Sequence, residues 1–571
     1  MTQIKPSDKP WLAHYDAGVP HTVEIPNVSL HSLLEKSAVD YADKPVMVFK
    51  GHKISFRQLN EAADAVAAAL AAHGFRKGDR AVIYMPNTPQ FIISYYGILK
   101  AGGIVVATNP LYTERELEHQ LADCGTETVF VMSLYYNKLK EVVAKGHTKV
   151  KRVIVANIKE YLPPHLRLLF TLAKEKKEGH RVAIQQGDIS FPDFLALGKR
   201  SPKPNVQVTG DDVALLQYTG GTTGVSKGAI CLHRNMAVNT AMMAAWMTDL
   251  QPGKEVILTG IPLFHSYGMV TAMNFAMRIG AMMVLVPNPR DQTDVLGSIN
   301  KYKPTIFPGV PAMYVAINNN PDVAAGKYDI RSIRVCVSGS APLLRETKEK
   351  FEQLTGGKLV EGFGMSETHV ATHANPLYGK NPVGSIGLPL PNVECRVVDQ
   401  VDGVTDLGAG QIGELLLKGP SVMPGYWNMA AETAKALVDG WLYTGDIVEM
   451  DEEGYFYIRD RKKDMIIAGG YNIYPREVEE VLVQHPAVFE VAVAGIKDPK
   501  RGETVKAWVV KNEGFDNVTE EDLIEWSKGE LAKYKYPRAI EFLPELPKSA
   551  AMKVLKRELV KREAGKGEKS G

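Results

Sequence analysis

From Ile54 to about Gly379 the chain alternates helix-length amphipathic segments with short apolar runs, and this alternation limits the fold more than any other feature. "SFRQLNEAADAVAAALAAHG" reads as an alanine-rich helix, "DRAVIYM" as a strand, "TPQFIISYYGILKAGG" as a helix and "IVVATN" as a strand. Thr113 and Glu116 stand at capping-box spacing and start a helix that runs to about Asp123. "EVILTGIP", "AMMVLVP", "PTIFPGVP" and "RVCVSGSA" are further β-rich runs with helix-length segments between them. Strands joined through helices pair in parallel, so the expected class is α/β, with parallel-rich sheets covered by helices. Ligands of such sheets sit beyond the carboxyl ends of the strands.

A chain of 571 residues is too long for one core, because single cores stop growing near roughly 250–300 residues. Between about Asn381 and Met450 the pattern changes to short strands with glycine turns, such as "GELLLKG", which reads as a small antiparallel or barrel-like section. The charged cluster "RDRKKD", Arg459 to Asp464, follows, and its position between differently patterned regions marks a linker. Met465 to about Arg562 has an α+β pattern of its own, with "PREVEEVLVQH" a helix and "VFEVAVAGI" and "TVKAWVVK" strands. The division expected is a large N-terminal domain, 1–460, and a smaller C-terminal domain, 461–571. The closing "KREAGKGEKSG" is polar and glycine-rich and is expected to be a disordered tail.

Composition excludes several classes. A net charge of +2 gives no reason to expect a nucleic-acid partner. Cys124, Cys231, Cys336 and Cys395 are scattered without CxxC spacing, which fits a reducing cytosol and argues against disulfides or a zinc site. The start "MTQIKPSDKPW" has no apolar core of a leader, and no run approaches the ~20 apolar residues of a spanning helix.

The strand Val213 to Gln217 runs into "YTGGTTGVSKG", Tyr218 to Gly228. Ordering so many glycines costs backbone entropy, which makes a purely structural turn of this composition a poor design. Glycines that let N–H groups turn inward, several hydroxyls and the ammonium of Lys227 instead make a phosphate cradle. The lysine lacks the G-K-[ST] flanks of a Walker A loop. A solvent-exposed flexible loop is the plainer alternative.

Four other stretches carry a resemblance. "EGFGMSET" (Glu361 to Thr368), "WLYTGD" ending in Asp446, "RDRKKDMIIAGGYNIYPREVE" across the linker and "PKSAAMKVLKREL" around Lys553 follow the glycine-rich loop in a fixed order. With that loop, they resemble the adenylate-forming superfamily, and within it the long-chain fatty-acid–CoA ligases, from about Ser29 to Arg562.

The resemblance implies ATP, Mg²⁺ and coenzyme A, with a fatty acid as partner. It implies that Thr219, Gly220, Gly221, Thr222, Thr223, Gly224, Ser226 and Lys227 hold the β- and γ-phosphates. Phe363, between Gly362 and Gly364, would stack on adenine, with Gly339, Ser340 and Ala341 of "VSGSAPL" on the adenine side. Ser366 would bond the α-phosphate and Glu367 would hold Mg²⁺; outside this motif a surface carboxylate is the better reading of Glu367. Asp446 would accept both ribose hydroxyls beside Arg461, and His265 of "PLFHSYG" would lie near the acyl carboxylate, although a lone histidine beside Phe264 is more often a packed core residue. Lys553 would serve acyl-AMP formation, and a mobile C-terminal domain would swing about a hinge at Lys463 before thioester formation. Three positions depart from the family: Ser226 stands for proline, Ser366 for threonine and Met552 for the glycine before the catalytic lysine.

Nine of the twenty methionines fall between Met236 and Met283, and Met269, Met273 and Met277 recur every four residues along one helix face. Either this is a packing face, or flexible thioethers line the wall of an alkyl pocket beside His265, which favours a long or medium fatty acid. "EYLPPHLRLLFTLAKEKKEGHR", Glu160 to Arg181, mixes apolar residues with Lys174, Lys176 and Lys177. It reads equally as a solvated helix or as a contact with an anionic membrane surface, which would place a cytoplasmic protein at the inner membrane. Competing functions are an aryl- or aminoacyl-adenylating enzyme and, given Met552, a catalytically weak binder of fatty acid or acyl-adenylate.

Overall fold

The computed structural model describes residues 3–219, 226–468, 471–498, 501–549 and 553–567. Two compact units emerge, one of 12–393 with 418–440, the other of 1–11, 394–417 and 441–571. They differ from the 1–460 and 461–571 division in grouping the small β section with the C-terminal residues.

In the first unit the described strands form two parallel-rich sheets. One runs Ile189–Ser190, Arg152–Ala156, Thr128–Met132, Arg80–Tyr84, Ile104–Ala107, Val213–Thr219 and Lys227–Leu232 in spatial order. Its last pair is antiparallel and the other neighbours are parallel. The other sheet is parallel from Pro45–Phe49 through Met282–Leu285, Val256–Thr259, Ile306–Gly309 and Val335–Ser338 to Lys358–Met365, with antiparallel strands at both ends. Strands such as Val129–Met132 and Ile104–Ala107 are buried along their length, as a sheet covered on both faces requires. Helix Phe56–Ala72 starts at a reciprocal Ser55–Gln58 capping box, and Glu114–Cys124 starts at the Thr113–Glu116 box expected from the sequence.

The methionine segment is helical but irregular. Ser266–Gly268 and Phe275–Ile279 flank a π-helical turn, Met269–Asn274. Asn274 Nδ2 donates to the Met269 carbonyl at 3.1 Å and to Tyr95 at 3.2 Å, while Tyr96 donates to Asn274 Oδ1 at 2.8 Å. An amide side chain bonded to the carbonyl five residues back accounts for the widened turn. Every residue from Ser266 to Met277 is buried, so burial does not set Met269, Met273 and Met277 apart from their neighbours.

In the second unit Ile412–Lys418, Trp441–Met450 and Phe456–Arg461 pair antiparallel. The C-terminal α+β part joins Val488–Asp498 antiparallel to Gly502–Lys511, with Ala539–Phe542 parallel to the latter. Helices Pro475–Leu482 and Glu520–Glu530 bring Val478, Leu482 and Leu523 onto that sheet. Of the tail expected to be disordered, residues 561–567 continue the helix Lys556–Gly567, and 568–571 lie outside the described residues. Composition misleads there because Leu559 packs against Trp508, and Glu563 pairs at 2.6 Å with buried Lys506, which also holds Glu541 at 2.7 Å. All four cysteines are buried, and no disulfide joins them among the described residues.

Leu559→Ala is expected to cost about 2–4 kcal/mol and to release the tail helix. Hydrogen exchange should then show 556–567 unprotected in the variant and protected in the wild type; a tail already unprotected in the wild type would contradict the docking.

Candidate active site

Among the described residues, Thr219 ends strand Val213–Thr219, Gly339 follows Val335–Ser338 and Ser366 follows Lys358–Met365, so these site residues lie at carboxyl ends of strands. Val213–Thr219 leads into the glycine-rich loop and Lys227–Leu232 leads out, with Thr219 opposite Lys227 and Tyr218 opposite Gly228. Gly220, Gly221, Thr222, Thr223 and Gly224 lie outside the described residues. The Ser226 carbonyl accepts from His119 Nε2 at 3.1 Å, a bond that does not use the N–H a proline would lack.

Segment 425–427 lies along the outgoing strand: Ile230 N–H donates to the Gly425 carbonyl at 2.9 Å and Trp427 N–H to the Gly228 carbonyl at 2.8 Å. This places Tyr426, a residue that sequence reasoning missed, between two that it named. The Tyr426 hydroxyl donates to Glu367 Oε1 at 2.9 Å, and the Lys227 ammonium stands 5.2 Å from the centre of its ring. Burial, then the Glu367 charge, raises the Tyr426 phenol far above its ordinary range, so it stays a donor. Lys227 also pairs with Glu432, whose carboxyl is held down to about 2 by its bonds from Lys227 and Lys435. The aromatic pair in "MPGYWN" was the available signal.

Glu367 and Ser366 occupy the turn Ser366–Thr368 between antiparallel Lys358–Met365 and Val370–Ala374. The Glu367 carbonyl accepts from Met423 N–H at 2.8 Å. The strands cross so closely that a Cβ on Gly364 would sit 1.3 Å from the Val370 carbonyl oxygen. His369 and Val370 meanwhile take φ of 54° and 110°. For a β-branched residue that is an outlier. On the same strand Phe363 meets His373 edge-on at 5.8 Å. Buried Glu361, quoted in the motif but given no role, accepts from Leu343 N–H at 3.0 Å and Gly384 N–H at 3.2 Å. It thereby anchors the loop carrying Gly339, Ser340 and Ala341, in which Ser340 is left-handed at φ 71°.

His265 follows strand Val256–Thr259 and caps the turn Ser266–Gly268, its Nδ1 accepting from Tyr267 N–H at 3.2 Å. A neutral ring bonded this way carries its proton on Nε2. Tyr267 then donates to the Val337 carbonyl at 2.6 Å, and its ring lies 3.3 Å from where a Gly339 Cβ would be. The His265 segment and the Gly339–Ala341 loop are thus held together, as are Lys227 and Glu367 through Tyr426.

Asp446, Arg461, Lys463 and Lys553 gather in the other unit. Asp446 stands opposite Arg461 in the small sheet and accepts from Arg461 Nε at 2.8 Å. Its side chain is 2% exposed, and its other oxygen, Oδ2, is buried without a hydrogen-bond partner among the described residues. Lys463 lies in the turn between Phe456–Arg461 and Ile466–Ala468, next to Lys462, which is tied to Glu414 at 2.8 Å. Desolvation and then the Arg461 charge push the Lys463 ammonium down to about 8. The same causes, in the same order, lower Lys553. Lys553 is exposed as a residue, so the local surroundings of its ammonium set that direction. Its backbone closes a turn with Ser549, N–H to Oγ at 3.2 Å; Met552 lies outside the described residues.

Residues 34–427 match the AMP-binding enzyme family, and 477–553 match the AMP-binding enzyme C-terminal domain. The chain belongs to the AMP-binding enzyme family. Among AMP-binding enzymes it is 46% identical over 562 residues to a long-chain-fatty-acid–CoA ligase of Bacillus subtilis, covering 98% of each chain. It is 39% identical to one of Escherichia coli O157:H7, covering 98% of this chain and 99% of the relative. The crystal structure of ATP-bound MatB from Rhodopseudomonas palustris is similar with a TM-score of 0.78 and 29% identity, over 94% of this chain and 99% of that one.

Gly364→Ala is expected to break the Lys358–Ala374 hairpin, because the clash is with backbone rather than a side chain that can turn away. Its thermal unfolding should begin well below that of Gly384→Ala, a positive-φ glycine whose added Cβ would meet nothing within 4 Å. Equal melting of the two would show that the crossing can open.

Proposed function

We propose that this chain converts a fatty acid to its coenzyme A thioester in two steps with acyl-AMP between them. The observation that carries the reading is the joining of Lys227 and Glu367 through Tyr426 at a glycine-rich loop, in a chain 46% identical to a long-chain-fatty-acid–CoA ligase. In the first step a carboxylate oxygen bonds to the α-phosphorus of ATP, the bond to the bridging oxygen breaks and pyrophosphate leaves. In the second the coenzyme A sulfur bonds to the acyl carbon, the C–O bond to AMP breaks and the thiol proton is released. A carboxylate is a poor electrophile, and AMP gives it a good leaving group.

The residue roles we propose are those the family resemblance implies. Thr219 to Lys227 receive the terminal phosphates and Ser366 the α-phosphate. Phe363 offers its ring to adenine, with Gly339, Ser340 and Ala341 alongside. The unpartnered, buried Asp446 Oδ2 fits a sugar hydroxyl, which would supply the missing donor. The His265 Nε2–H is suited to the acid's carboxylate. Glu367, its carboxylate already oriented by Tyr426, would hold Mg²⁺, which would supply positive charge against the phosphate oxygens. Lys553 meets charge that builds up in the first step. Lys463, next to the anchored Lys462, is the residue about which the C-terminal segment changes position between steps.

Paired variants test these roles. Lys553→Ala should lower acyl-AMP formation about 10²–10³-fold while leaving thioester formation from supplied acyl-AMP largely intact. Lys463→Pro should do the reverse, because proline fixes φ and denies the backbone rotation. Equal loss of both half-reactions in either variant would remove the role assigned.

The acid we infer is a long or medium fatty acid, with Met269, Met273 and Met277 along the alkyl chain. Met273→Trp should then lower kcat/KM for long saturated acids relative to short ones by tenfold or more, in line with about 1–3 kcal/mol for fit in an apolar pocket. A lowered melting point with an unchanged length profile would assign these methionines to core packing alone.

A further inference from the structure

Segment Glu160–Arg181 carries a surface that the reaction does not use. Its inner side is anchored. Phe170 packs edge-on against His180 at 5.5 Å, and His180 Nδ1 bonds Ser133 Oγ at 2.9 Å. Buried Glu175 accepts from Asn157 at 3.0 Å and pairs with Lys159 at 2.5 Å. Arg167 donates to the Lys159 and Glu160 carbonyls at 3.1 and 2.7 Å. These bonds fix the segment on the protein in a defined orientation.

Its outer side is apolar. Leu168, Leu169 and Leu172 are 62%, 61% and 77% exposed, and they fall on one side of the helical run Pro164–Leu169 and Phe170–Lys174. Leu134, 43% exposed, lies nearby, with Cδ1 3.2 Å from where a Gly179 Cβ would be. Three adjacent leucines facing water are not the scattered apolar residues of an ordinary surface. Around them, between Lys159 and Arg181, stand six lysines and arginines against three glutamates, and Lys174, Lys176 and Lys177 are all exposed. Apolar side chains ringed by cations match a surface that is oily within and negative at its rim, which a bilayer of anionic lipid presents.

We propose that Leu168, Leu169 and Leu172 insert into the headgroup–acyl boundary of an anionic membrane while Lys174, Lys176 and Lys177 meet its phosphates. Among the described residues no helix is long and apolar enough to cross a membrane, so the contact is one of lying on the surface. The inference does not depend on which acid the enzyme activates.

The test is sedimentation of the full chain with vesicles of phosphatidylcholine alone or mixed with phosphatidylglycerol. The wild type should bind the mixed vesicles, bind the neutral ones at least tenfold more weakly, and detach as salt rises. The triple change Leu168→Ser, Leu169→Ser, Leu172→Ser should lower binding to mixed vesicles at least tenfold. Lys174→Glu, Lys176→Glu, Lys177→Glu should do the same and remove the salt dependence. Both variants should keep wild-type melting and wild-type pyrophosphate release with a short, water-soluble acid. A wild type that ignores mixed vesicles, or a leucine variant that binds like wild type, would overturn the proposal. So would a leucine variant whose only change is in oligomeric state, since that would assign the leucines to a second copy of the chain.

Discussion

The close crossing at Gly364 is the contact on which the first unit's chemistry depends. One strand, Lys358–Met365, carries Glu361, Phe363 and the turn with Ser366 and Glu367, and its directions are set where Gly364 passes the Val370 carbonyl. The closing residues accept unfavourable backbone angles, and such strain persists only where the surroundings over-determine it. Here they do, because fully buried His369 bonds the Ser421 carbonyl at 2.7 Å and Asn239 Nδ2 donates to the Ala371 carbonyl at 2.9 Å. A slip of one residue would turn Glu361 away from the loop it anchors and move Glu367 from Tyr426.

The second unit solves a different electrostatic problem. Arg461, Lys463 and Lys553 act on one another as like charges, with Asp446 and Asp464 as the acids that oppose them. Desolvation first, and this repulsion after it, makes both lysines hold their protons less firmly. Such an arrangement is short of negative charge, and an anion entering it would restore the affinity of each ammonium for its proton.

Much of this was legible in the sequence, for identifiable reasons. Runs such as "VALLQ" and "RVCVSGSA" became strands because both faces of a covered sheet demand continuous apolar residues, a local signal. Thr113 and Glu116 are legible because a cap is written within four residues. Tyr426 was not, since its placement depends on pairing with residues about two hundred positions earlier. The closing helix was not either, because what orders it is a lysine on a distant strand. The methionine spacing identified a helix but could not reveal the π turn, which Tyr95 and Tyr96 help create by holding Asn274.

The four buried cysteines have a chemical consequence. Desolvation raises every one of these thiols, Cys124 to about 12 and Cys231, Cys336 and Cys395 well above the ordinary range, so none presents a thiolate at neutral pH. An enzyme that makes an activated acyl group and offers it to a thiol runs the risk of acylating itself. Keeping its own sulfur out of reach and protonated leaves coenzyme A as the competent nucleophile of that kind.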